Sequence, residues 1–192
     1  MSKLANIHFF LDYSNIWLSG LESRQLPSCQ KDRFRISASR IRELACGGRQ
    51  WKLGFAAAGF KQSPTNLIES FRRSGVQFRD LERGCRSGME QGVDATIQCE
   101  MILRTLQAEK GDVVVLATGD GNGWERFEGF LPTVQFLRHR GLSIELMSWG
   151  HSVNSKLADW CSQFGKYICL DQYYSSLTYV EGERQPHKLK IA

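Results

Sequence analysis

Five times along the chain a stretch with helical periodicity stops at glycine, and short runs rich in Val, Ile, Phe and Leu separate those stretches. The helical stretches are Ala38 to Cys46 before Gly47 and Gly48, Thr65 to Ser74 before Gly75, Val93 to Lys110 before Gly111, Trp124 to Arg140 before Gly141, and Asn154 to Phe164 before Gly165. Glycine takes the left-handed conformation that closes a helix without steric cost, so the repetition reads as a series of C-caps. Strand candidates are Ile7 to Leu11, Trp51 to Ala57, Val76 to Phe78, Val113 to Ala117, Ser143 to Met147 and Tyr167 to Leu170. Their continuous apolar character fits burial on both faces. Strands alternating with helices predict an α/β fold: a three-layer α/β/α sandwich with a mostly parallel, Rossmann-like central sheet and right-handed crossovers. Pro132 is expected to kink or split the fourth helix near Leu131.

A chain of 192 residues fits one compact unit. The expected division is a domain over residues 1–170 and a C-terminal extension or tail over 171–192, where helical periodicity is lost. No run approaches eighteen apolar residues, and MSKLANIHFF enters a strand with no secretory signal, which points to a cytoplasmic protein without a membrane span. The six cysteines include no CxxC pair, and the four histidines lack ligand spacing, so zinc chemistry and a disulfide framework are disfavoured.

The net charge of +5 is unevenly placed. Lys31, Arg33, Arg35, Arg40, Arg42 and Arg49 face only Asp32 and Glu43 in their stretch, and Arg72, Arg73, Arg79, Arg83 and Arg86 follow. Such clusters fit a polyanionic partner, because each Lys or Arg that meets a phosphate releases condensed counterions. Charge alone fits a solvated surface equally well.

Two phrases carry the chemistry: FFLDYSN at residues 9–15 and VVVLATGDGN at residues 113–122, each an apolar strand halted at an aspartate and a turn. In a parallel sheet the carboxyl ends of strands and the N-termini of crossover helices share one edge. Asp12, Asp120 and Asp94 are therefore expected at one place, with the amides of Asn15 and Asn122, and Glu125 is the reserve carboxylate. Clustered carboxylates repel unless a cation or protons neutralise them, and Mg2+ or Mn2+ is the natural guest of an all-oxygen site. Each residue also has a plain role available, as an Asx-turn, a helix cap or a tight turn.

FFLDYSNIW, GVDATIQCEMI and the long segment from VVVLATGDGN to ELMSW together resemble NYN domains of the LabA and DUF88 type, in the PIN-like nuclease group. The resemblance spans about residues 5–170. It implies a PIN-like sandwich and hydrolysis of RNA phosphodiesters by a metal-activated water. It matches Asp12 and Asn15 to a DxxN after the first strand, Asp94 to the acid of the GVD segment, and Asp120 to the first acid of a GDxD turn. Asn122 departs from the pattern, standing where many members carry a second aspartate, and Gln91 stands where a basic residue often precedes GVD. Metal ligands are then Asp12, Asp94 and Asp120, with Glu125 in support. Asn15 and Asn122 position water or phosphate, and Arg33, Arg35, Arg40, Arg42, Arg72, Arg73, Arg83 and Arg86 meet RNA, single-stranded or in structured loops. A homodimer is left open.

Two other readings compete. One is a non-catalytic RNA-binding or scaffold module of the same fold, motivated by Asn122. The other is a phosphatase of the haloacid dehalogenase kind, which needs a second aspartate two residues after the first, where this chain has Ser14 after Asp12. The absence of GxxxxGK[ST] disfavours a nucleoside triphosphatase.

Overall fold

The structure, a computed structural model, describes residues 4–23, 26–59, 65–81, 92–119 and 129–183. Its centre is a six-stranded sheet of β1 (Asn6–Asp12), β3 (Gln50–Ala58), β4 (Gln77–Asp80), β5 (Val113–Ala117), β6 (Ser143–Ser148) and β7 (Lys166–Cys169), in the order β4-β3-β1-β5-β6-β7. Every pairing is parallel. The chain winds outward from β1 to β4, then returns and winds the other way from β5 to β7. Right-handed crossovers in opposite directions place helices on opposite faces. The buried side chains of α3 (Ala38–Cys46) and α4 (Thr65–Arg73) join Phe9, Leu11, Val115 and Met147 on one face. Those of α5 (Val93–Arg104), α6 (Phe130–His139) and α7 (Ser155–Phe164) join Phe10, Val114, Leu116 and Leu146 on the other. The fold is thus the expected α/β sandwich.

Several elements differ from the sequence expectation, each for a local reason. A helix, α1 (Tyr13–Glu22), begins directly after β1 rather than a turn, because Asp12 caps it. The helix containing Pro132 starts at Phe130 among the described residues, which puts the proline at the third helical position. There its missing N–H has no intrahelical acceptor to lose, so it starts the helix instead of kinking it. Helix α5 stops at Arg104 rather than Lys110, where Thr105 Oγ1 donates to Met101 O at 2.6 Å and competes with the helical pattern.

Two further pieces were not expected. Helix α2 (Ser28–Lys31) leads into β2 (Phe34–Ile36), and the chain after β7 turns through a 3-10 segment (Leu170–Tyr173) and α8 (Tyr174–Leu177) into β8 (Thr178–Val180). Strands β2 and β8 pair antiparallel as a separate small sheet. Phe34, Ile36, Leu170 and Leu177 from these pieces are buried in the α3/α4-side core.

Candidate active site

The sheet order reverses between β1 and β5, so their carboxyl ends flank a crevice that the flanking helices cannot fill. Asp12 is the last residue of β1 and is 4% exposed. Its Oδ1 accepts from Asn15 N at 3.0 Å and from Ser14 Oγ at 2.9 Å. The side chain is thereby fixed in orientation as well as buried. Phe10 packs on the α5 face and Leu11 on the α3 face, so by alternation Asp12 projects towards α5.

The same alternation places two hydroxyl residues beside it. Leu11 pairs with Ala117, and Ala117 with Met147, so Asp12, Thr118 and Ser148 stand abreast on one face, one step beyond those pairs. Thr118 and Ser148 are fully buried, and Ser148 Oγ has no hydrogen-bond partner. Ser152 Oγ, in the loop after β6, is also buried without a partner. Buried hydroxyls normally find an acceptor or a water, and two orphans near the ends of β5 and β6 make this edge of the sheet unusually polar. Sequence reasoning passed over Thr118, Ser148 and Ser152. The signal available was a polar residue directly after each apolar run, in LATGD and in LMSWG.

Asn15 has a structural task there. Its Oδ1 accepts from Gly119 N at 2.7 Å, which ties the first turn of α1 to the end of β5 across the switch point. The Gly119 carbonyl accepts in turn from Asn154 N at 3.0 Å. A Cβ on Gly119 would lie 3.0 Å from both Asn15 Oδ1 and the Ser152 carbonyl, so this close approach requires glycine. Three loops are thus gathered immediately before Asp120.

Asp94 is half-buried in the first turn of α5, which packs on β1 and β3. Because α5 runs antiparallel to the strands, its first turn lies at the carboxyl edge that holds Asp12. Gly92 precedes α5 with φ of 80° and gives no side-chain cap. An acid in the first turn then complements the positive end of the helix dipole. Asp120, Asn122 and Glu125 lie outside the described residues, as do Arg83 and Arg86. Among the described residues no three His, Cys, Asp or Glu side chains are close enough to form a metal group. The donors that are placed, two carboxylates and nearby hydroxyls, are all hard oxygens and fit magnesium or manganese rather than zinc.

The arginines divide between the two edges. Arg33 and Arg35 on and beside β2, and Arg40 in the first turn of α3, lie towards the carboxyl edge. Arg72 and Arg73 close α4 at the opposite edge, and Arg42 leans over the Trp51 ring at 4.7 Å. Many already have partners: Arg35 with Glu181 at 2.9 Å, Arg40 with Glu43 at 2.7 Å, Arg73 with Glu69 at 3.9 Å. A cavity of about 730 Å3 lined by Gln135, Arg138, Trp160 and Phe164 also opens at the amino edge. Its lining holds no carboxylate, whereas the carboxyl edge holds the orphaned hydroxyls and the buried acid and is the candidate site.

Comparison with known proteins agrees with this placement of the fold. The model of the NYN domain family matches residues 7–169. A solved structure of a Vibrio parahaemolyticus protein of unknown function is similar, with a TM-score of 0.67 and 15% identity, over 89% of this chain and 96% of that one. No curated protein matches the chain.

Proposed function

The chain belongs to the NYN domain family, a nuclease-like group with a PIN-like fold that typically uses divalent metals, and from that premise we propose that it is a divalent-metal-dependent ribonuclease. The observation that carries the reading is the buried, oriented carboxylate of Asp12 at the switch point, on the same edge as the unpartnered Ser148 and Ser152 hydroxyls and the first turn of α5 with Asp94. Asp12 and Asp94 would hold magnesium or manganese, with Asp120 as the third carboxylate and Glu125 in support. A bound ion of this kind supplies a water of lowered pKa and stabilises charge on the phosphate and leaving oxygen.

The chain's own residues do the rest. Ser14 and the Asn15 amide hold one oxygen of Asp12, so the carboxylate need not reorganise when substrate arrives. Asn15 through Gly119 fixes the backbone that immediately precedes Asp120 in the sequence. Ser148 and Ser152 have hydroxyls left over to offer to a water or a phosphate oxygen at this edge. The substrate in this reading is RNA, single-stranded or looped, because the first-turn N–H groups of α5 and the arginines of the carboxyl edge favour an anionic backbone.

Manganese-stimulated cleavage of a labelled single-stranded RNA is the test. The parent is expected to cut, and Asp94→Asn to lose at least about a hundredfold in rate, as when a preorganised electrostatic group is removed. Equal rates in parent and variant, purified identically, would rule the assignment out. Asn122 supports one alternative, an RNA-binding module without turnover. Steeply salt-dependent binding with no cleavage in manganese would identify it.

A further inference from the structure

Residues 170–183 lie beyond the matched family segment, yet they are folded against it. Tyr174 stacks on Phe34 at 6.4 Å and tilts against Trp149 at 5.4 Å, Leu177 is buried, and Ser37 N donates to Leu177 O. This arm carries two carboxylates to the carboxyl edge, where donors from three separate segments meet them. Glu181 Oε2 accepts from Arg35 Nη2 at 2.9 Å and Oε1 from Asn66 Nδ2 at 3.0 Å. Glu183 Oε1 accepts from Gln30 Nε2 at 3.0 Å and lies 3.6 Å from Arg33 Nη2. Arg33 Nη1 also donates to the Glu181 carbonyl at 3.0 Å.

Two guanidinium groups and two amides converging on acidic oxygens form a site for any oxyanion of similar geometry. The planar fork of arginine fits carboxylate and phosphodiester alike. The charges cancel within the cluster, two arginines against two glutamates. The outer pair is open to exchange, with Arg33 and Glu183 each almost half exposed.

We propose that Gln30, Arg33, Arg35 and Asn66 form a phosphate-binding surface for single-stranded RNA, occupied in the free protein by Glu181 and Glu183 as an internal competitor that RNA must displace. The inference rests on the reading of the substrate as RNA. It is independent of whether the chain cleaves that RNA. The exposed Arg33–Glu183 pair contributes little to stability, so exchange is readily made there first, and each arginine released to a phosphate frees a counterion.

The experiment is binding of a fluorescein-labelled oligouridylate to the full chain, followed by anisotropy across a potassium chloride series in EDTA, which removes turnover from the readout. Glu181→Gln with Glu183→Gln keeps the shape and the amide-compatible hydrogen bonds while removing both charges. That variant is expected to bind about tenfold more tightly, because neither the exposed Arg33–Glu183 pair nor the partly buried Arg35–Glu181 pair then has to be broken. Its logarithmic salt slope is expected to steepen by about 1.4, two single-strand phosphate contacts at about 0.7 each. Adding Arg33→Gln and Arg35→Gln to it should cancel the gain. Glu183→Gln alone, at the more exposed pair, should steepen the slope by about 0.7 and keeps the test alive if the double variant melts early.

Unchanged affinity and slope in folded variants, or weaker binding, would overturn the proposal and leave the arm a structural clasp. If the variants bind more tightly but nothing is cut in manganese, the inference stands and the nuclease reading falls. If manganese supports cleavage while parent and variants bind alike, the reverse holds. If neither parent nor variant binds RNA, both fall.

Discussion

Asp12 serves two ends with one side chain, and the two can be separated by substitution. As N-cap of α1 it satisfies a backbone N–H, a task asparagine performs about equally well. As the proposed metal ligand at the switch point it has no neutral substitute. Asp12→Asn is therefore expected to melt within about 0.5 kcal/mol of the parent while cleavage is lost, whereas Asp12→Ala should lose about 1 kcal/mol as well. Thermal unfolding beside an RNA cleavage assay distinguishes charge from cap, and an active Asp12→Asn would remove Asp12 from the chemistry. Gly119 poses a different kind of test. Its would-be Cβ meets a backbone carbonyl as well as Asn15 Oδ1, and the carbonyl cannot rotate away. Gly119→Ala should cost about 1–3 kcal/mol and displace the turn leading to Asp120, lowering the rate more than the melting temperature suggests. The sequence exposes Asp12 plainly, because a run of apolar residues ends on it. The role of Asn15 is hidden, because its partner lies 104 residues away and is a backbone N–H that any residue but proline could offer.

The elements divide the molecule into an edge that stabilises and an edge that carries the candidate site. At the amino edge Asp112, just before β5, accepts from Asn6 N at 3.2 Å and Asn6 Nδ2 at 2.9 Å, and lies 3.1 Å from His8 Nε2. It thus joins the starts of the two central strands, and all three residues are buried. Asp112→Ala leaves those polar groups unpaired and is expected to cost about 2–4 kcal/mol. Cleavage by the remaining folded protein should be unaffected, since the site lies at the far ends of the same strands. A fall in activity without a fall in melting temperature would contradict this division. The strands and most helices are legible in the sequence because apolar runs and glycine stops are local signals. The arm is not. Its strand β8 has three residues, and its partner β2 precedes it by more than 140 residues, so neither carries a periodicity long enough to recognise. What gives it a place is burial of Leu170 and Leu177 in the core beneath α3, a tertiary fact.

At the scale of the whole molecule, the doubly wound order is what sets the end of β1 beside the end of β5. Alternating strands and helices foretell a parallel sheet, but the reversal between β1 and β5, and with it the crevice, becomes visible only when the strand order is known. The charge excess reads as two basic clusters in the sequence, while the structure pairs many of their arginines and sends Arg72 and Arg73 to the opposite edge from Asp12. Acid should unfold this scaffold in a defined window. Burial acts to raise Asp112, but hydrogen bonds from His8, Asn6 and the Glu109 N–H outweigh it and leave the carboxyl below its usual range. Asp171 is held down in the same way: burial raises it, and donation from Cys169 Sγ and Gly150 N more than offsets that. A lowered native value means that both contributions are complete above about pH 4 and disappear as pH falls through the native values. The melting temperature should thus be insensitive to these groups near neutrality and fall below about pH 4, and Asp112→Asn should flatten that fall. The metal offers the complementary test, because an ion that binds only the native state stabilises the entire cooperative unit. Manganese at about a hundred times its dissociation constant adds about 2.7 kcal/mol. For a chain of this length that raises the melting temperature by about 5–10 °C. Asp12→Asn, which keeps the cap and the fold, should lose most of that rise while its metal-free melting is unchanged. A manganese-induced rise of equal size in parent and variant would place the ion elsewhere on the molecule and separate Asp12 from metal binding altogether.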